Sequence, residues 1–145
     1  YENKIQFPPK TKGRFLNKEN IKYLSKENHI YIGAHTHYHQ NLGVLNDSET
    51  QEEISSSKKI LEDLTQTSIN FFAYPYGTKS SYKKSDYKIL KDNNFKLAFT
   101  TEFNNYKLGS HSPFLIPRMG LGNYNDNKSI RDKVFGLDSL IKKIY

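Results

Sequence analysis

Apolar residues along the chain change period several times, and each change predicts an element. Over residues 17–27, Ile21, Tyr23 and Leu24 recur at helical spacing behind Asn17, whose short polar side chain suits an N-cap, so a short helix with that face toward a core is expected. The next stretch, "HIYIGAH" (29–35), has the β-branched and aromatic density of a buried strand. Helical period returns in "NDSETQEEISSSKKILEDLTQ" (46–66), where Ile54, Leu61 and Leu64 mark one face with Ile60 beside it. Ser48 and Gln51 fit a capping box there, and acidic residues crowd the first turns, where the helix dipole favours them. "INFFAYPYG" (69–77) predicts a second buried strand ended by Pro75 and Gly77. "SDYKILKDNNF" (85–95) predicts a short helix capped by Ser85, and "KLAFTTE" (96–102) a third strand.

Strand, helix, strand, helix, strand in that order implies parallel pairing through crossover helices, that is, an α/β sheet or barrel. Active sites of such folds lie at the C-terminal ends of the strands, and residues 35–39 and 75–77 both fall there. Further on, a short strand-like run at 114–116 is framed by Pro113 and Pro117. The tail from Ser129 carries Ile130, Val134, Leu137, Ile141 and Ile144 at helical spacing, a closing amphipathic helix with a weak point at Gly136. Residues 1–16, with Pro8, Pro9 and Gly13, read as an irregular connector.

Composition narrows the class. With 145 residues there is room for one domain or part of one, and 11 Tyr and 9 Phe supply a core to an otherwise polar chain. The net charge of +7 invites a nucleic-acid partner, but the lysines are dispersed among Asp, Glu and Asn and form no basic stripe, so no nucleic acid is expected. The absence of cysteine excludes disulfides and thiolate metal sites. No apolar run approaches the roughly 18 residues that span a bilayer, so no transmembrane segment is expected in this chain. The one Met, Met119, is internal, which suggests that residues preceding Tyr1 have been removed.

The chemistry-bearing cluster is "IYIGAHTHYHQNL" (30–42), with His35, His37 and His39 at alternate positions. His35 and His39 are four apart, a separation that lets two imidazoles reach one ion from a helical turn; on an extended strand all three would share a face. Two other readings stand beside metal binding: surface histidines bonded to backbone carbonyls, and a proton-shuttling pair. No Asp or Glu follows closely enough to complete a local triad. The Pro75-Tyr76-Gly77 turn is an ordinary loop by itself, but at a strand end it is able to present a backbone N–H to a substrate.

Taken together, these stretches resemble the polysaccharide deacetylases, the NodB-homology domain of carbohydrate esterase family four. "IGAHTHYHQNL" is similar to that family's histidine metal motif and "FFAYPYG" to its Pro-Tyr-Gly motif, with the helix that starts "SETQEEISSSKKILED" between them and "KLAFTT" and "FLIPRM" following in the family's order. The resemblance implies a distorted (β/α) barrel present as its C-terminal two-thirds: a connector over 1–16, the partial catalytic domain over 17–122, and the C-terminal amphipathic helix over 123–145 packing on the same domain. It implies one divalent metal ion, zinc above all, and metal-dependent hydrolysis of the N-acetyl group of an amino sugar in a bacterial polysaccharide or its precursor, releasing acetate.

Carried over residue by residue, His35 and His39 match the metal ligands, Thr36 the small hydroxyl residue of the turn, and Tyr76 the position whose backbone N–H faces the oxyanion. The family's Asp-Asp motif, which supplies the general base and the third ligand, is absent and is expected upstream of Tyr1, so residues 1–145 alone should bind metal weakly and not turn over. Ala73 stands where many members carry an arginine, and Arg118 is the candidate for orienting the base, against a plain strand-edge role. His37, with His111 behind it, is the candidate acid. The partner implied is an N-acetylated glycan, with Tyr31, Tyr38, Tyr74 and Tyr82 as candidate stacking surfaces. The rival is a non-catalytic glycan-binding or scaffolding module derived from a deacetylase. Localisation is unknown from the sequence and stays open between the bacterial cell envelope and the cytoplasmic face of polysaccharide assembly.

Overall fold

The computed structural model describes residues 15–102, 109, 112–118 and 120. The expected connector, save Phe15 and Leu16, and the tail helix from Ser129 lie outside the described residues.

A parallel sheet organises the described part. Strands β1 (Phe71–Ala73) and β2 (Leu97–Phe99) pair in register, Phe72 against Ala98. A bridge at Ala34 adds the 30–34 segment parallel to β1, and a bridge at Ile116 adds the 114–116 run parallel to β2. The parallel order expected from alternating periods is therefore present, and the fold is α/β. "HIYIGAH" does not become a full strand: it pairs only through Ala34, whose N–H donates to Phe71 O (2.8 Å) and whose carbonyl accepts from Ala73 N (2.9 Å). Two residues on, the left-handed Thr36 (φ 62°) turns the chain away from β1 and ends the pairing.

Helix α2 (Asp47–Thr65) crosses from the 34 segment to β1, and α3 (Ser85–Asp92) from β1 to β2. The two pack together and exchange hydrogen bonds between Gln51 and Asn93 at 3.1 and 3.3 Å. Phe72, Tyr74 and Ala98 are fully buried in the same core as Ile54 of α2 and Leu90 of α3. The alternate residues Phe71, Leu97 and Phe99 are only half-buried and border an apolar cavity of about 430 Å³ with Tyr31 and His35. Period-2 alternation thus gives each strand one fully buried side and one open one.

Several local expectations shift. The cap of α2 is Asn46, whose side chain accepts from Glu49 N (3.0 Å) while Glu49 answers the Asn46 N–H (2.8 Å); the capping box sits two residues before Ser48 because Asn46 takes the extended conformation that a cap needs. Ile60, placed beside the core face, is exposed, while Ile54 is buried and Leu61 packs on the core as expected, joined on the buried side by Thr50, Glu53 and Ser57. Ser85 does not cap α3: its hydroxyl donates to Asp47 of α2, and the buried Asp86 carboxylate accepts the Lys83 N–H at 2.7 Å in its place. In α1 (Lys18–Leu24) Asn17 caps as expected, with Asn20 completing the box, but the helix stops short of residue 27 and Ile21, Tyr23 and Leu24 are half-buried rather than core. Among the described residues no helix is long and apolar enough to cross a membrane.

Because Phe72 is enclosed and Ile60 is not, Phe72→Ala should cost about 3–5 kcal/mol of stability, whereas Ile60→Ala should stay within about 0.5 kcal/mol of wild type. Urea denaturation of both variants checks this, and equal losses would contradict the packing described.

Candidate functional site

Three strand ends converge. The 34 segment ends in His35, β1 runs into Tyr74-Pro75-Tyr76-Gly77, and β2 into Thr100-Thr101. Parallel register brings all three to one rim of the sheet. His35 and His39 face each other there, with ring centroids 4.8 Å apart and planes at 73°. The Tyr76 ring lies 5.2 Å beyond His39, so the histidine turn and the Pro-Tyr-Gly turn form one surface.

His35 Nδ1 lies 2.6 Å from Ala73 O. A carbonyl only accepts, so Nδ1 carries the proton, which leaves the lone pair of the neutral ring on Nε2. Partial desolvation by the surrounding protein pushes the His35 pKa below the ordinary histidine value; the nearby His39 and Arg118 act in the same direction, and the bond to Ala73 opposes them. The lowered pKa favours this neutral ring, protonated on Nδ1 and with a lone pair on Nε2. Two imidazoles holding one ion at about 2.0–2.1 Å place their centroids about 5 Å apart, so the observed pair fits a shared divalent cation. Among the described residues no group of three or more His, Asp or Glu side chains is arranged to hold a metal.

The turn between the histidines is unusual in its backbone. Thr36 (φ 62°) and His39 (φ 58°) are both left-handed, and across the rim so is Tyr76 (φ 62°). A β-branched residue at positive φ is disfavoured, so surrounding bonds must hold Thr36 there. Glu53, buried on α2, supplies two of them: its Oε2 accepts both the His37 and Tyr38 N–H at 2.9 Å, and its Oε1 lies 3.4 Å from Gln40 Nε2. Sequence reasoning passed over Glu53 as one of several acidic residues near the start of the helix. Its signal was position: it shares the inward i, i+3, i+7 face with Thr50 and Ser57, where a carboxylate has no business unless it is bonded.

The Pro-Tyr-Gly turn is fixed from β2. Thr101 Oγ1 donates to Tyr76 O at 2.6 Å, the Thr101 N–H donates to Gly77 O at 2.9 Å, and the Gly77 N–H closes a tight turn on Pro75 O at 2.7 Å. Among the described residues nothing accepts from the Tyr76 N–H. Gly77 is at φ 68°, and a Cβ there would stand 2.6 Å from Thr101 N. Thr101 is the second residue that the sequence did not flag.

The remaining candidates divide. Arg118 donates from Nε to Thr100 O at 2.9 Å at the end of β2, close enough to His35 to depress its pKa, with the rest of its guanidinium turned to no described carboxylate. The His37 ring meets Tyr38 edge-on (centroids 4.1 Å apart) and borders a separate cavity of about 180 Å³ against Glu49 and Glu52 of α2. His111 lies outside the described residues. Tyr31 and Tyr38 are exposed, but Tyr74 is fully buried, its hydroxyl donating to Phe114 O, and Tyr82 packs on it, so neither of the last two offers a free stacking face.

Residues 9–99 match the family model described as polysaccharide deacetylase. The chain belongs to the polysaccharide deacetylase family. A search of curated proteins gives no match. Among solved structures, a Streptococcus pyogenes deacetylase, PplD, in complex with acetate is similar over 72% of this chain and 44% of its own, at 21% identity and a TM-score of 0.64. A de-N-acetylase from Aggregatibacter actinomycetemcomitans is similar over 88% of this chain and 58% of its own, at 13% identity and a TM-score of 0.65. A BA3943 mutant, described as a CE4 family pseudoenzyme, matches over 57% of this chain and 29% of its own, at 22% identity and a TM-score of 0.50. The chain thus spans 58% or less of each of these structures. At these identities they share its α/β fold.

Two outcomes follow for the site. His35 should titrate below 6.5 by NMR. Since its folded pKa lies below the unfolded value, its contribution to stability is full above the unfolded pKa and is lost as pH falls toward the folded one. A midpoint above 6.5 would contradict the environment described. Gly77→Ala should destabilise by about 1–3 kcal/mol, measured by denaturation, because the methyl meets β2 backbone at a left-handed residue.

Proposed function

We propose that this chain carries the histidine and oxyanion side of a metal-dependent N-deacetylase acting on an N-acetylated amino sugar of a bacterial glycan. The observation that carries this is the facing of His35 and His39 at one rim with a Tyr76 N–H that has no acceptor among the described residues. The parallel-sheet fold favours a site at that rim, and membership of the family favours deacetylation.

His35 and His39 would hold one divalent ion, zinc by the nitrogen character of the pair. When bound, such an ion supplies Lewis acidity toward water and toward the acetamide carbonyl. The Ala73 carbonyl keeps His35 in the tautomer that presents Nε2, a positioning role typical of the carbonyl partners of metal-binding histidines. The Tyr76 N–H, fixed by Thr101, would donate to the acyl oxygen as negative charge develops on it. The terminal nitrogens of the Arg118 guanidinium, which meet no carboxylate among the described residues, would orient the carboxylate that serves as base. That base, the third ligand and the remainder of the barrel would come from outside the described residues. His37 and His111 are the candidates for protonating the leaving amine; for His37 this requires its ring to leave the cavity beside α2.

A second reading, a glycan-binding module without catalysis, is favoured by the likeness to a structure described as a pseudoenzyme. The complete gene product, assayed with zinc for acetate release from an N-acetylglucosamine oligomer, separates the two. Activity that falls by about 100-fold or more in His35→Ala and His39→Ala supports the enzyme. Binding of the oligomer without acetate release supports the module. Residues 1–145 alone should release no acetate.

A further inference from the structure

Glu53 is 6% exposed, yet it makes its hydrogen bonds to a turn whose own residues, 37–40, are exposed. The His37 and Tyr38 N–H groups do not need it for solvation, since water reaches that turn. What the carboxylate adds is a fixed conformation. Two successive N–H groups converging on one oxygen form a concave anion-binding nest, and here the anion is a side chain anchored on α2. Among the described residues no Lys or Arg pairs with Glu53, so these N–H bonds, with Gln40, are what compensate its burial. On either side of the nest stand the left-handed Thr36 and His39, the conformations that turn the chain back on itself between the two rings.

We propose that Glu53 is a positioning residue for the histidine pair: its carboxylate ties the 36–39 turn to α2 and so sets the ring of His39 against that of His35. This rests on His35 and His39 being the metal pair, and it adds the device that keeps them facing before any ion arrives. A residue of this kind acts through the turn and touches neither ion nor substrate. Removing it releases the His37 and Tyr38 N–H groups to water, relaxes the two left-handed residues and lets His39 leave the rim.

The test uses the 145-residue chain and four variants. Glu53→Gln keeps an acceptor oxygen at full reach. Glu53→Asp keeps the charge but retracts it by one methylene. Glu53→Ala removes both. Leu61→Ala thins the same helix's core side away from the turn. Zinc affinity by calorimetry should fall about 10–100-fold in Glu53→Ala and Glu53→Asp, the range seen when the supporting shell of a metal site is lost, and be largely kept in Glu53→Gln. Leu61→Ala should lower the unfolding midpoint with zinc affinity unchanged. In the metal-free chain, the nuclear Overhauser contact between the His35 and His39 rings should persist in Glu53→Gln and vanish in Glu53→Asp.

Unchanged zinc affinity in a folded Glu53→Ala or Glu53→Asp would overturn the proposal, as would losses that simply track stability across all four variants. If zinc leaves the ring signals of the wild-type histidines unmoved, the metal reading fails. The ring contact in Glu53→Gln and Glu53→Asp then decides the positioning role by itself: lost only in Glu53→Asp supports it, and unchanged in both overturns it.

Discussion

The hydrogen bonds between Ala34 and β1 are the constraint on which the rest depends. Ala34 donates to Phe71 and accepts from Ala73, which fixes the 34 segment parallel to β1 and in a register that places His35 level with the end of that strand. One residue further, the Ala73 carbonyl is free to take the His35 ring proton. The same carbonyl would be consumed if the segment continued as a ladder strand. Ending the pairing at Ala34 is therefore what makes a donor histidine out of a strand residue, and it decides the tautomer as well.

From that anchor the rim is assembled by bonds that each come from a different element. Thr101, after β2, holds the Tyr76 carbonyl, so the Pro-Tyr-Gly turn moves with the second strand. Glu53, on α2, holds the amides of the histidine turn, so His39 moves with the helix. Strand order, helix crossover and site geometry are thus coupled: a shift of α2 along the sheet would carry one histidine and leave the other behind. The left-handed residues at Thr36, His39 and Tyr76 mark where this coupling bends the backbone into costly conformations, which surrounding bonds must stabilise.

Much of this was legible in the sequence, because period and motif carry it. The switch from helical to strand spacing gave the α/β order, and the Pro-Tyr-Gly and histidine stretches located the rim. The family resemblance agrees with the model that matches residues 9–99. What escaped was set by tertiary context. The 30–34 segment has strand composition, but its pairing with β1 stops at Ala34, because the left-handed Thr36 turns the chain away from the strand. The α2 cap moved to Asn46 because cap conformation, not residue spacing alone, selects the box. Glu53 was hidden by its type: a carboxylate near a helix N-terminus reads as dipole compensation, and only its burial and its two amide partners reveal a different job. Tyr74 looked like a stacking ring and is core, since aromatic residues serve both purposes and alternation alone assigned it inward.

The proposed metal pair is tested most directly by anomalous diffraction from crystals of the chain soaked in zinc, collected on both sides of the absorption edge. A single peak between the two imidazoles, about 2.0–2.1 Å from Nε2 of His35 and from a ring nitrogen of His39, is the predicted result. Zinc bound elsewhere with no density between these rings would contradict it.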